Sequence, residues 1–202
     1  SSDGSYIGMD INIPSKKSML FSFFQGSHRD GKRFVNQIGD SRGILLEVID
    51  YREMSSISYQ IGLTINNTNL LGIYSEGSFG QSDKSLTSFI GVDFLNRVKD
   101  TLFKSSFYAG MTSSTFNQMG MIEDIADTYF SSFDIGIYKD NIFNNSDSLG
   151  LEVYQPLRSE RSNINFSLPV GRTKDRQVLF QNINLDLTPS GRQINSQLVY
   201  NT

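Results

Sequence analysis

The sequence contains no cysteine, only four prolines and no long hydrophobic run. Without cysteine, disulfide frameworks, thiolate metal sites and cysteine nucleophiles are excluded. No run approaches the 18 apolar residues of a transmembrane helix, and no charged segment followed by an apolar one predicts a signal peptide. A net charge of −3 and a pI of about 5.1 argue against a nucleic-acid-binding surface. The chain begins at Ser1 rather than methionine, and we take it as a piece of a longer protein.

What the sequence does contain is a two-residue alternation of apolar and polar residues along most of its length. The segment 57–65, ISYQIGLTI, alternates without a break, and the pattern returns in the stretch 149–194. About twelve such segments follow one another at short spacing, which is typical of a sandwich or barrel and not of βαβ units. We therefore predict one all-β domain over 1–202, an antiparallel up-and-down meander.

Two interpretations of this alternation remain open, because soluble antiparallel sheets also alternate apolar and polar residues. Two features favour an outer-membrane-type β-barrel: the polar positions are mostly short uncharged residues, and many strands have the 8–11 residues of a tilted membrane strand. Tyrosines near proposed strand ends would suit an interfacial girdle, although tyrosine is also simply a good strand residue. These tyrosines are Tyr51, Tyr74, Tyr138, Tyr154 and Tyr200.

The barrel interpretation assigns each residue of an alternating strand to lipid or to a hydrated lumen. Residues predicted to face lipid are Ile57, Tyr59, Ile61, Leu63, Ile164, Phe166 and Leu168. Residues predicted to face the lumen are Ser58, Gln60, Asn163, Asn165, Asn184 and Asp186. On this assignment Ile61→Lys should cost about 2–4 kcal/mol, whereas Asn165→Lys should be mild.

Segments between the strands offer little chemistry. Asn66–Asn69 reads as a tight turn that returns through a partner strand over 70–78. Residues 114–128 lack the alternation, and we expect a short helical turn, a long loop or a plug there, with Glu123, Asp124 and Asp127 on its solvated face.

The segment 140–147, DNIFNNSD, contains oxygen ligands but lacks the glycine and terminal glutamate of an EF-hand, so it is predicted to be a solvated turn. No glycine-rich phosphate loop is present. We predict no metal, no cofactor and no nucleic-acid partner.

Three elements in the last quarter of the chain carry a resemblance. SLGLEVYQPLR at 148–158, FSLPVGRTKD at 166–175 and LDLTPSGRQI at 185–194 occur in this order. Together they resemble the C-terminal translocator of bacterial subtilisin-like serine-protease autotransporters, most strongly over 147–200 and weakly over 86–138. The residues of the motif are Gln155, Pro156, Leu157, Arg158, Pro169, Gly171, Arg172, Pro189, Gly191 and Arg192.

The resemblance implies a translocator and anchor in the bacterial outer membrane, at the cell surface, for a secreted protease. Its partners would be outer-membrane lipid, its own N-terminal passenger and the barrel-assembly machinery. Two residues depart from the family pattern, Arg176 in place of glycine and Gln193 in place of an acid. The family also continues past residue 202, so we expect the barrel to be incomplete at its C-terminus.

The motif residues also have a physical interpretation of their own. Pro156 cannot donate to a ladder and fits a sheet edge, a strand end or a bulge, and Gly171 and Gly191 fit turns. The arginines could pair with Glu152, Asp175 or Asp186, or could be solvated turn residues. The arginines in question are Arg158, Arg172 and Arg192.

The family implies a protease, but a catalytic triad is not predicted in this chain. The only histidine, His28, lies in the polar turn FFQGSHRDGKR, and GMTSS at 110–114 ends a strand instead of opening a buried helix. Proteolysis would belong to an N-terminal domain. The rivals to a translocator are a soluble accessory domain of the same protease and a binding module that contacts polysaccharide or protein through its loops.

Overall fold

A computed structural model describes residues 2–14, 16–29, 38–66, 82–116, 120–144 and 146–201. In these residues the prediction of an all-β, antiparallel meander of about twelve strands is confirmed. The strands are β1 Ser2–Ile13, β2 Lys17–Arg29, β3 Ile38–Tyr51, β4 Ser55–Asn66, β5 Ser82–Val98, β6 Thr101–Phe116, β7 Ile122–Ile125, β8 Thr128–Asp140, β9 Ser148–Arg161, β10 Asn163–Arg172, β11 Val178–Asp186 and β12 Asn195–Asn201. No helix in these ranges is long and apolar enough to span a membrane.

Nine of the strands form one sheet in the order β1-β2-β3-β4-β5-β6-β8-β9-β12. Every neighbouring pair in this sheet is antiparallel. Eight successive reversals of direction leave the two outermost strands, β1 and β12, running parallel to each other.

The two ends of the nine-stranded sheet differ in the length of their connections. At one end, the short-turn end, residues 14–16, 52–54, 99–100 and 141–147 join successive strands. Lys16, Lys99 and Asn141 have φ values of 60°, 52° and 59° there, which tight reversals require. At the other end, the long-connection end, the chain needs residues 30–37, 67–81, 117–127 and 162–194 to return to the sheet.

A single long hairpin links the nine-stranded sheet to a small second sheet. Only Ser162 separates β9 from β10, and 187–194 joins β11 to β12. One half of the hairpin consists of β9 and β12, which pair with each other in the large sheet. The other half consists of β10 and β11, which also pair with each other, and β7 joins β10 to complete a sheet in the order β11-β10-β7.

The core of the three-stranded sheet is small and apolar. Ile122 and Ile125 of β7 pack on Ile164 of β10, and Phe166 packs against the three. Each of the three isoleucines is buried, so the prediction that Ile164 and Phe166 face lipid is wrong. This corner therefore has the ordinary polarity of a water-soluble protein, with apolar side chains inside.

The nine-stranded sheet has the opposite polarity. Apart from Phe130, the side chains that it buries are polar, and many of its apolar side chains are exposed. The buried residues on one face, which we call the polar face, are Ser18, Ser22, Ser58, Ser85, Thr112, Thr128 and Glu152. The opposite, apolar face exposes Ile7, Met9, Phe21, Phe23, Ile44, Tyr59, Ile61, Leu63, Ile90, Val92, Phe107, Ile135, Ile137, Leu151 and Leu198.

One prediction about secondary structure is wrong and one lies outside the described residues. The pattern over 114–128 predicts a helical turn or loop, but β6 runs through Phe116 and 122–125 forms β7. The sequence feature that marks β7 is the pair Ile122 and Ile125. These residues are three positions apart, which fits a strand with a bulge and not a two-residue alternation. The turn at Asn66–Asn69 and the strand over 70–78 fall mostly outside the described residues.

Candidate functional site

The polar face is held together by a chain of hydrogen bonds across adjacent strands. Gln60 of β4 donates through Nε2 to Glu47 of β3 at 3.2 Å and to Asp93 of β5 at 2.8 Å. The Ser58 hydroxyl also donates to Glu47, and the Tyr108 hydroxyl of β6 donates to Asp93 at 2.9 Å. One amide and two hydroxyls thus satisfy two carboxylates across four strands, as groups removed from water require.

The same kind of bonding continues along the rest of the polar face. The hydroxyls of Thr87 and Thr112 are 2.8 Å apart, and those of Tyr6 and Ser22 are 2.9 Å apart. Near the last strand, Gln197 of β12 donates to Glu152 of β9. The face is a lattice of short polar side chains and not a single catalytic cluster.

Aromatic rings on the polar face lie over glycines of the neighbouring strands. A Cβ at any of these glycines would overlap the ring, so only glycine fits beneath it. The register places each ring directly opposite its glycine, so this packing depends on the strand pairing. The pairs are Gly43 with Phe24, Gly62 with Phe89, Gly91 with Tyr108, Gly110 with Phe130 and Gly150 with Tyr138.

The six residues predicted to face a lumen divide between the two sheets. Ser58 and Gln60 lie on the polar face, within the hydrogen-bond chain described above. Asn163, Asn165, Asn184 and Asp186 lie instead on the three-stranded sheet, where Asn184 donates to Asn165 at 2.5 Å.

Asp186 ends β11 and holds the turn that follows it. Its carboxylate accepts from the Thr188 backbone N–H at 2.8 Å. Hydrogen bonds from the Thr188 side chain and backbone hold the pKa of Asp186 below its usual range. The structure thus gives Asp186 a local capping role in an exposed part of the hairpin, and the lumen assignment of all six residues stays a prediction.

Motif residues that are distant in sequence meet at the middle of the long hairpin. Arg158 donates to the backbone carbonyls of Pro189 at 2.8 Å and Gly191 at 3.2 Å. Arg192 donates to Gln155 and, at 3.1 Å, to Glu160. These contacts clamp the 187–194 segment onto β9, and we call them the hairpin clamp.

The acid at the centre of the hairpin clamp is Glu160, which the sequence reasoning missed. It pairs with both Arg158 and Arg192 and accepts from the Ser131 hydroxyl at 2.5 Å. Arg158 and Arg192 thus pair with Glu160 and not with Glu152, Asp175 or Asp186, the acids considered beside the alternative of solvated turn arginines. The sequence does contain an indication of the Arg158–Glu160 pair, since residues two positions apart in a strand lie on the same face.

The prolines and glycines of the motif mark irregular positions. Pro156 and Leu157 have no partner in the β8–β9 register, which shifts between Ser131 and Phe133. A second shift falls between Pro169 and Gly171 in the β10–β11 pair. Pro156 thus sits where the ladder is irregular, as the sequence predicts, whereas the prediction that Gly171 lies in a turn is wrong, because it belongs to β10 and pairs with Leu179.

The 140–147 segment is organised by the side chain of Asp147. Its carboxylate accepts from the backbone N–H groups of Ile142 and Phe143 at 2.8 and 2.9 Å and from the Tyr200 hydroxyl at 3.0 Å. Desolvation alone would raise the pKa of Asp147, but these hydrogen bonds outweigh it and lower the pKa. Across the described ranges no three acidic or histidine side chains are grouped to hold a metal.

The tyrosines proposed for an interfacial girdle have different surroundings. Tyr51 and Tyr200 do lie at strand ends, and Tyr51 is exposed. Tyr138 is on the polar face over Gly150, and Tyr154 lies in mid-strand. Tyr74 is outside the described residues. The four described tyrosines therefore do not assemble a girdle.

The segment GMTSS lies wholly within β6, and the Thr112 hydroxyl bonds to Thr87 on β5. The prediction that His28 lies in a turn is wrong, because its backbone belongs to β2 and pairs with Gly39 of β3. A scan against protein-family models and searches of curated proteins and solved structures gave no match to the chain.

Proposed function

We propose that this chain forms the wall of an outer-membrane β-barrel that acts as the translocator and anchor of a secreted protease. The observation that carries the proposal is the inverted polarity of the nine-stranded sheet. A soluble sheet buries its apolar face, whereas here Ile61 is 53% exposed and its neighbour Ser58 on the polar face is buried. Hydrocarbon outside and a hydrated lumen inside would make both faces favourable.

The dimensions of the strands support a membrane span. Apolar outward residues on β4 run from Ile57 to Ile65, which is nine residues of unbroken alternation. A tilted membrane β-strand needs about 9–11 residues. All nine strands lie within one continuous hydrogen-bonded sheet, so most backbone donors and acceptors are satisfied without water.

The asymmetry of the sheet ends gives the proposed orientation. Outer-membrane barrels have short turns on the periplasmic side and longer loops outside. The turn 99–100 and the others of the short-turn end would then face the periplasm. The long-connection end, with β7 and the β10–β11 hairpin, would face the exterior.

Closure of such a barrel limits the number of strands that can be added between β12 and β1. Because β1 and β12 run parallel, an all-antiparallel barrel needs an odd number of further strands between them. A second copy in the same membrane orientation would again bring β12 beside β1 in parallel, so it does not meet the requirement. The strand or strands that complete the barrel must alternate with apolar residues outward.

In this role the chain has no catalytic step of its own. The polar face offers compact hydroxyl and amide groups that would line a passage for an extended N-terminal passenger. The other partners would be outer-membrane lipid and the barrel-assembly machinery, and the parent polypeptide would be a subtilisin-like serine protease. A soluble accessory domain is the alternative, and a partner protein would then have to cover the apolar face.

The test is expression of the 202-residue chain behind a periplasmic signal. We expect retention in the outer-membrane fraction after a carbonate wash and a heat-dependent change in gel mobility. The matched variant Ile61→Lys should reduce both, while Asn165→Lys should not. A soluble monomer that resists protease would overturn the membrane proposal in favour of the accessory domain.

A further inference from the structure

The β10–β11 hairpin ends in a tip that is both basic and apolar. Arg172, Lys174 and Arg176 lie within five residues of one another, with Asp175 as the single acid. The whole chain carries a net charge of −3, so this local excess of positive charge runs against the average. None of the three cations forms an ion pair with any residue in the described ranges.

The turn that carries these cations is well defined. The Thr173 N–H donates to the Gln177 carbonyl at 2.8 Å, and the Arg176 N–H donates to the Thr173 carbonyl at 3.0 Å. The Thr173 hydroxyl accepts from the Gln177 N–H at 3.1 Å. Arg176 has a φ of 66°, the left-handed conformation of a tight reversal. The cations are therefore presented on a fixed backbone and not on a loose loop.

Apolar side chains flank the turn and are exposed. Val170, Val178, Leu179 and Phe180 all project from the described surface, and Phe180 is 61% exposed. Val178 pairs with Arg172 across the hairpin, so a cation and an apolar group share one face. Exposed apolar groups beside cations are the combination that binds the interface of anionic membranes.

We propose that the β10–β11 tip is a docking site for anionic lipid headgroups. This inference rests on the proposed function, which puts the long-connection end at the outer surface. Charge complementarity selects the partner: phosphate-bearing headgroups attract the three cations, and the acyl boundary accepts Phe180 and its neighbours. The contact would fix the hairpin relative to the membrane surface.

The test uses the full chain with one tryptophan, Phe180→Trp, since the natural sequence has none. The chain is reconstituted in vesicles of phosphatidylcholine, with or without phosphatidylglycerol. We expect a blue shift of the tryptophan emission and reduced quenching by acrylamide only with the anionic lipid, and both effects should weaken with salt. Insertion is scored separately on the same samples by heat-dependent gel mobility.

Two triple variants complete the design. Arg172→Gln, Lys174→Gln and Arg176→Gln together should lower the apparent affinity for anionic lipid about 100-fold. The matched control removes three exposed cations of the short-turn end, Lys16→Gln, Lys99→Gln and Lys139→Gln, and should leave the signal unchanged.

Three outcomes would overturn the inference. They are an equal response in both lipids, an equal loss in both triple variants, or equal protection by soluble polyphosphate, which would assign the tip to free polyanions. Loss of heat-dependent mobility with an intact lipid response would instead count against the barrel alone.

Discussion

The two sheets of this protein have opposite polarity although β4 in the large sheet and β10 in the small sheet alternate apolar and polar residues in the same way. In the nine-stranded sheet Ile61, Ile90 and Phe107 are exposed on the apolar face, whereas Ser58 and Thr112 are buried on the polar face. In the three-stranded sheet the isoleucines of β7 and β10 pack inward on each other. Alternation in a sequence therefore reports that two faces differ, but it does not report which face meets water.

The two sheets differ in whether other apolar side chains of the described chain pack against their apolar faces. β7 brings Ile122 and Ile125 against Ile164, so the small sheet finds an apolar partner within the described chain. The apolar face of the large sheet has no such layer among the described residues. A face of that size exposed to water would be a strong aggregation hazard, so it calls for lipid or a partner surface.

The strongest contrast comes from the same substitution placed in each of the two sheets. Ile61 and Leu185 are similarly exposed, at 53% and 48%. If the apolar face meets lipid as proposed, Ile61→Lys in lipid vesicles should lower the free energy of unfolding by about 2–4 kcal/mol, because a charge would enter hydrocarbon. Leu185→Lys should change it by about 0.5 kcal/mol or less, as at a solvated site. Urea unfolding measures both, and equal effects would remove the contrast between the sheets.

The next effect tests the aromatic rings that lie over glycines in the large sheet. Gly110→Val would drive a side chain into the Phe130 ring and toward the Ser88 carbonyl, and we expect a loss of about 3 kcal/mol in the free energy of unfolding. Gly26→Val is the control, because no atom lies within 4 Å of the point that its Cβ would occupy. A tolerated Gly110→Val would show that the ring can move aside.

A smaller effect is expected from a substitution in the core of the three-stranded sheet, which tests that sheet separately. Ile125→Ala removes part of its apolar core and should cost about 2 kcal/mol, the lower limit for such truncations, because the cluster is small. Amide hydrogen exchange should accelerate in β10 and β11 while β5 keeps its protection. Uniform acceleration in both sheets would mean that they unfold as one unit.

The weakest expected effect is a change in how the free energy of unfolding depends on acidic pH, and it is tested at the short-turn end. The pKa of Asp147 is lowered in the folded chain, so the carboxylate stabilises the fold above its unfolded pKa. That contribution is lost as the pH falls through the folded pKa. Asp147→Asn should therefore flatten the fall of stability in the acidic range below the ordinary carboxyl pKa, as measured by urea unfolding at a series of pH values.

The control for this acid effect is Asp100→Asn, which removes an exposed carboxylate at the same end of the sheet. It should leave the pH dependence of stability as it is in the natural chain. A similar flattening in both variants would show that the general charge of this end, and not the hydrogen bonds of Asp147, sets the acid sensitivity.

Much of the strand pattern followed from the sequence, since β4, β9 and β10 lie where the alternation places them. β7 did not, because four residues with a register shift give no clear period. The hairpin clamp was visible only as a set of motif residues. Its central acid, Glu160, became recognisable when the 187–194 segment folded back over β9 and brought Arg192 to it.

The order of the residues is enough to establish that this protein is built of antiparallel strands with two chemically different faces. A two-residue period places alternate side chains on opposite faces of a pleated strand, so that each face can meet a different environment. A helix has 3.6 residues per turn, so the same period does not separate its side chains into two faces. Which face is buried, how the long hairpin divides between two sheets, and the parallel direction of β1 and β12 emerge only in the folded chain. Those features depend on strand register and on contacts between residues far apart in the chain, which no local pattern encodes.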